Sequence, residues 1–389
     1  MEKRPIMKRF YLLFLSVCLL FSTGCAKSSL FSNYRPIEQL KLVHVIGFDA
    51  HEEGLELSIC GGEKGEEGQE LIRLSCTGKN ISDCLGKLQN YSEKYELYYA
   101  HTRYVIVGEE YARQGLGDVM QYLESSEQLR SDIPLFIVKG GKAKDPVMKS
   151  GGEKEGIHDV LEAVIRDCDR QGMGYPFTCG DIGSFSAEYG SALTCALTLE
   201  NTKDTKPEAK DDEVTPIAAG YGIIDYGSLT AFLSTEASRA VNFLIGELGT
   251  GSVTVTAEGQ PVSLRFTEAK NTLQPTFGEH GTMTELKINM ELEAEPIESE
   301  QEHPIDLKKL EQTVTANVNQ WMEELLLAMR STKCDFLGLG ARIAISHPKE
   351  MTAARLPWTE QLDTLPMFAE IQCSLHHKEN ESRTKEETA

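Results

Sequence analysis

The sequence predicts an α+β (mixed α/β) fold of two or three domains, and three observations predict it. A strand, a helix and a second strand follow one another between residues 103 and 138, the order of a βαβ-like unit. Three alternating strands between residues 252 and 295 are then followed by a long helix with one apolar stripe, the pattern of an antiparallel sheet packed by a helix. Between these patterns, residues 201–213 (NTKDTKPEAKDDE) hold no large apolar residue and read as an acidic linker.

The chain begins with a basic head of Lys3, Arg4, Lys8 and Arg9, then an apolar run from Phe10 to Phe21. Small residues Ser22, Thr23 and Gly24 lead into Cys25. This is the build of a secretory signal peptide over residues 1–24, and twelve apolar residues are too few to span a bilayer. Because the cysteine directly follows the small residues, the stretch resembles a bacterial lipobox, with Ser22 where an aliphatic residue is usual. Lipidation of Cys25 is the expectation, with residues 25–36 as a lipid-anchored tether; the alternative is an ordinary signal with a chance cysteine. Each buried methylene of an acyl chain adds about 0.8 kcal/mol, so a multiply acylated Cys25 anchors stably.

The full chain carries a formal charge of −21; residues 1–24 hold four basic residues against Glu2, a net +3, so the remaining 365 residues carry −24. Such a chain repels phosphate backbones and anionic headgroups, which argues against nucleic-acid binding and against docking flat on lipid through a basic face. Beyond Cys18 and Cys25 stand eight cysteines, none in a C-x-x-C pair. At that density they do not define a disulfide scaffold; several lie in apolar strand-like runs and read as buried free thiols.

The N-terminal mixed α/β region, residues 37–200, opens with strands at Leu42–Phe48, Leu55–Cys60 and Leu71–Cys76. A glycine-rich acidic loop, GGEKGEEGQE, lies between the second and third. Ile81, Leu85, Leu88, Tyr91 and Tyr95 keep a helical spacing. RYVIVG (103–108) reads as a buried strand, and Glu109-Glu110 open a helix running to about Leu123. PLFIV (134–138) is the next strand, closed by Lys139-Gly140-Gly141-Lys142, and a further helix spans roughly 157–170. The C-terminal α+β domain, residues 214–376, starts with a hairpin around Asp225-Tyr226-Gly227-Ser228 and a helix capped by Ser234. Strands SVTVTA, VSLRFTEA and ELKINMELEAE follow. Asp306 then caps the longest helix, whose Leu310, Val314, Val318, Trp321, Leu325 and Met329 form one stripe. It stops before Cys334-Asp335-Phe336-Leu337-Gly338-Leu339-Gly340, and a last strand at 367–375 precedes a charged tail, 377–389.

No catalytic, cofactor-binding or metal-binding constellation emerges. Gly338 and Gly340 follow a helix and read as a tight helix exit, without the third glycine of a dinucleotide fingerprint. Gly140-Gly141-Lys142 lacks Walker spacing and reads as a strand-ending turn. His44 reads as a core histidine with a satisfied partner, and His376-His377 as a solvated pair. HExxH and GxSxG do not occur.

Several stretches together resemble one family. LVHVIGFD (42–49), HTRYVIVGEEYARQGLGDVMQYL (101–123), IPLFIVKGGKAKD (133–145), AAGYGIIDYGSLTAFLSTEASRAVNFLIGEL (218–248) and the block from Leu307 to Pro348 with CDFLGLG follow the Ger(x)C spore-germination lipoproteins, in order. These are the C subunits of nutrient germinant receptors (GerAC/GerBC/GerKC-like). The resemblance implies three mixed α/β domains and lipid anchoring through Cys25 on the outer face of the spore inner membrane. It also implies action with membrane A and B subunits, no enzymatic activity and no cofactor. The family's Trp-Asp pair after the lipidated cysteine is replaced here by Ala26-Lys27. The expected function is a non-catalytic, membrane-anchored subunit acting in germination by interaction, with candidate surfaces at 103–145 and 217–248. Two other readings stand beside it: a lipid-anchored solute-binding protein of a transporter, which needs a cleft between two similar lobes, and an extracellular enzyme.

Overall fold

A computed structural model describes residues 39–62, 71–93, 95–151, 156–249, 252–297, 306–353 and 357–376. The signal segment, Cys25, the tether, most of the acidic glycine-rich loop and the tail from His377 lie outside the described residues.

Nine strands form the first sheet: β1 (Leu40–His51), β2 (Gly54–Gly61), β3 (Ile72–Gly78), β4 (Glu96–Tyr98), β5 (Tyr104–Gly108), β6 (Leu135–Val138), β7 (Ser191–Asn201), β8 (Val214–Asp225) and β9 (Ser228–Phe232). Their order is β3-β2-β1-β5-β6-β7-β8-β9, with β4 beside the start of β1. The centre, β1-β5-β6-β7, is parallel; antiparallel hairpins extend it on both sides. The parallel core strands are buried on both faces, which is why YVIVG and LFIV carry no polar residue. Successive residues serve opposite faces. Tyr104, Ile106, Phe136 and Val138 enter one cluster, while Val105, Val107, Leu135 and Ile137 enter the other.

Helices cover both faces. In chain order they are α1 (Ile81–Tyr91), α2 (Glu109–Gln114), α3 (Gly117–Ser125), α4 (Lys144–Lys149), α5 (Ile157–Gln171), α6 (Cys179–Tyr189) and α7 (Thr235–Ile245). The single helix expected from Glu109 to Leu123 is broken at Gly115, whose φ of 135° takes it out of helical space. α5 lays Ile157, Leu161, Val164 and Cys168 on the sheet; of the four apolar positions its sequence suggests, Leu161 and Val164 are buried and Val160 and Ile165 are half-buried.

The second sheet has four strands, β10 (Val253–Ala257), β11 (Gln260–Phe277), β12 (Met283–Ile297) and β13 (Met367–Leu375), in that order. β10 to β12 are antiparallel, but β13 runs parallel to β12. The reason is the connection. The chain returns through α8 (Leu307–Thr332) and the short helices α9 (Leu339–Ser346), α10 (Pro348–Ala353) and α11 (Trp358–Gln361), a crossover instead of a hairpin. All six predicted stripe residues of α8 are buried, and Asp306 accepts the Lys308 N–H at 3.0 Å as its cap.

Composition places a boundary at 201–213; the hydrogen bonds run through it. β7 and β8 pair antiparallel from Ser191↔Asp225 to Asn201↔Val214, so the acidic stretch joins two strands of one sheet. The hairpin and helix at 217–248 therefore belong to the first sheet, and the change of sheet falls between α7 and β10.

Candidate functional site: the junction between the two sheets

Where the strands of an open α/β sheet end at their carboxyl termini, such folds commonly bind ligands. Here that position is filled by the chain itself. Asp49, 2 % exposed at the end of β1, accepts the Ala143 and Lys144 N–H groups, each at 2.8 Å. The Gly140-Gly141-Lys142 turn thus delivers α4 onto a buried carboxylate. Burial pushes Asp49 up to about 6, and the two backbone donors oppose the rise. Lys144 pairs with Glu56 at 2.5 Å beside it. A side chain at Gly108 would overlap Asp49, which accounts for the glycine that ends YVIVG.

An open cleft lies elsewhere, between the sheets. A cleft of about 540 Å³ is lined from the first sheet by Tyr189, Ser191, Asp225 and Tyr226. Thr332, Lys333, Cys334, Thr359 and Glu360 line it from the second. Local rules set each wall. α6 ends at Gly190 with φ 77°, and Gly190 O accepts the Tyr226 N–H at 2.8 Å. Tyr226 and Gly227 have φ of 42° and 80°, the two-residue turn that matches strand twist, at the Asp-Tyr-Gly-Ser cluster. On the other wall α8 closes on Lys333 with φ 58°, and Lys333 pairs with Asp363 at 2.6 Å.

Asp335 ties that second wall together. It is 2 % exposed and accepts the Leu339 N–H at 2.8 Å, the Gly340 N–H at 2.7 Å and the Trp358 indole N–H at 2.7 Å. Burial raises its pKa, opposed by those donors and by Arg342. Arg342 in turn donates to Asn271 Oδ1 at 2.5 Å, and Asn271 donates to the last carbonyls of α7 at 3.3 and 3.4 Å. Phe336 and Leu337 border an aromatic cavity of about 170 Å³ with Tyr175, Phe177 and Phe185 of the first sheet's layer. CDFLGLG is therefore a wedge between the sheets. Its glycines do not form a helix exit: Gly338, φ 62°, begins α9 and lies against Tyr189, where a Cβ would come within 2.8 Å. A Cβ on Gly340 would overlap the Trp358 ring.

The remaining sequence candidates are placed as follows. α7 of the 217–248 surface is spent inside the molecule. Phe243 packs on Trp321 at 6.2 Å between ring centres, and Ser234 Oγ donates to Glu324 at 2.6 Å. His44, 1 % exposed, stacks on His158 at 4.5 Å and faces His101 O at 3.4 Å. His376 lies 3.7 Å from Glu293. The eight body cysteines are free thiols, seven of them buried. Among the described residues no three His, Cys, Asp or Glu converge to hold a metal, and no helix is long and apolar enough to cross a membrane. Sequence reasoning missed Ser191, Asp225 and Glu360 as neighbours; its only signals were the turn cluster at 225–228 and the CDFLGLG stretch at 334–340.

The same architecture occurs in a solved structure, the crystal structure of the GerBC protein, with a TM-score of 0.56, 17 % identity and coverage of 85 % of this chain and 96 % of that one. The fold is thus a multi-domain α+β fold of the kind found in spore germination proteins. Two family models match in order: "Spore germination protein N-terminal domain" over residues 33–199, and "Spore germination B3/ GerAC like, C-terminal" over residues 219–379. The chain belongs to this Ger(x)C family, the C subunits of germinant receptors. It is 22 % identical over 309 residues to spore germination protein B3 of Bacillus subtilis (strain 168), covering 75 % of this chain and 76 % of that protein. It is also 22 % identical over 376 residues to spore germination protein KC of the same organism, covering 86 % and 88 %.

Proposed function

We propose that this chain is the membrane-anchored subunit of a nutrient germinant receptor, held to the outer face of the membrane by lipid on Cys25 and acting with A and B subunits without catalysis. The observation that carries the proposal is the ordered match of both family models across the body, behind a basic-apolar leader that ends in Cys25. A tether confines the body to a thin layer, so its effective concentration toward a membrane partner rises with no added contact. Modest interfaces then suffice. The face at 103–145 remains the candidate surface, because α7 of the 217–248 alternative is occupied by α8.

A solute-binding protein would use two similar lobes; a nine-stranded mixed sheet and a four-stranded sheet are dissimilar. The deciding experiment replaces Cys25 by Ala and follows membrane fractionation, native mass and germination. The expected result is release of a folded body, loss of the acyl mass and a weakened nutrient response. A variant that stays in the membrane and germinates normally would refute the anchor.

A further inference from the structure

We propose that the cleft between the sheets is a binding site for a small organic cation, a compact amine with further hydrogen-bonding groups. The site is separate from the anchor and from the partner surface. Its volume, about 540 Å³, lies within the range of small-molecule sites.

Charge selects the class of ligand. Asp225 and Glu360 line the cleft, and the one lysine in its wall, Lys333, is already paired with Asp363 at 2.6 Å. The local balance is therefore negative, so an anion is repelled and a cation gains two carboxylate partners. Two tyrosines, Tyr189 and Tyr226, add ring faces that attract an ammonium group. Tyr226 is 84 % exposed at the rim, held there by its left-handed turn conformation.

A second, independent observation points to an occupant. Ser191 is 1 % exposed, and its hydroxyl has no hydrogen-bond partner among the described residues. Ser191 stands directly opposite Asp225 in the β7–β8 ladder, so the two side chains share one face of the sheet. A buried hydroxyl without a partner is costly, and a ligand carrying an N–H or O–H group beside its cationic nitrogen would satisfy it. Thr332 and Thr359 complete the lining. A metal ion fits less well, because no three carboxylate, imidazole or thiol groups converge among the described residues.

The test uses the full chain in detergent micelles at pH 7, titrated with ethanolamine and with putrescine by calorimetry and thermal shift. Sodium chloride at matched ionic strength and sodium acetate serve as controls. The expected result is saturable binding and stabilisation by at least one amine, with neither control reproducing it. Asp225→Asn weakens that binding by about tenfold or more, as loss of a charged hydrogen bond implies. Glu360→Gln, at an exposed position, weakens it severalfold without affecting the fold, while Glu323→Gln on α8, outside the cleft, leaves it unchanged. Absence of saturable binding by both amines, or binding that both cleft variants leave intact, overturns the proposal. Either result is read without reference to Cys25, so the anchoring proposal stands or falls separately.

Discussion

The indole N–H of Trp358 donates to Asp335 Oδ2 at 2.7 Å, across 23 residues of chain. With the Lys333–Asp363 ion pair, this bond ties the short helix that carries Thr359 and Glu360 to the segment that carries Cys334. Trp358→Phe keeps a ring against Gly340 but removes the donor. Because the acceptor is a buried carboxylate, the expected cost is about 1.5–3 kcal/mol in urea denaturation. The same variant is expected to expose Cys334, whose thiol burial pushes up to about 11, so it reacts faster with a thiol reagent. An unchanged midpoint together with unchanged thiol reactivity would dismiss the bond as a tie.

A second buried carboxyl governs pH dependence. Asp49 has a folded pKa of about 6 against an ordinary 3.8. A raised carboxyl binds its proton more readily in the folded state, so this group's contribution becomes more favourable as pH falls from about 6 to about 4. Above 6 its burial cost is complete, and the whole interval amounts to up to about 3 kcal/mol. Asp49→Asn removes this component and leaves Glu56, Lys142 and Lys144 in place around it. From pH 7 to pH 5 the urea midpoint is expected to rise more, or fall less, in the wild type than in Asp49→Asn. Parallel pH profiles would contradict the assignment.

Tyr221 joins two elements and a loop. It is fully buried, its hydroxyl donates to Asn242 Oδ1 at 2.5 Å, and it accepts the Tyr175 N–H at 2.7 Å. Tyr221→Phe strands both partners and is expected to cost about 1–3 kcal/mol. Thermal unfolding measures it; a neutral result would mean that the polar centre of the β8–α7 layer contributes nothing.

Two glycines predict opposite signs. Gly340→Ala drives a Cβ into Trp358 and is expected to destabilise by about 1–3 kcal/mol. Gly86, exposed in mid-α1 with nothing near its would-be Cβ, becomes a better helix residue as Ala, a gain of about 0.5–1 kcal/mol. Melting temperatures of the two variants are expected to move apart on either side of the parent, and shifts of the same sign would contradict the packing.

The elements that were legible share one property: their burial is written in local spacing. Leu310 to Met329 recur every three or four residues, so the stripe of α8 could be read without its partner. β5 and β6 announced themselves as unbroken apolar runs, and β1 as an apolar run interrupted by His44. β7 did not. SALTCALTLEN mixes small, polar and apolar residues, and its neighbours β6 and β8 are what make it a central strand. Without β7, the acidic stretch after it looked like a linker, although its flanking strands are hydrogen-bonded to each other.

The chain alone supported the expectation of a leader ending at Cys25, and it determined the helix and strand periods, the mixed α+β class and the family motifs. Each depends on residues close together in sequence or on their order. Only the tertiary structure decided that β8 and β9 complete the first sheet and that β13 runs parallel in the second. It alone brought Ser191, Asp225, Cys334 and Glu360 around one cleft. The physical reason is that strand partners and cleft walls are chosen by long-range hydrogen bonding and packing, which no local pattern of side chains encodes.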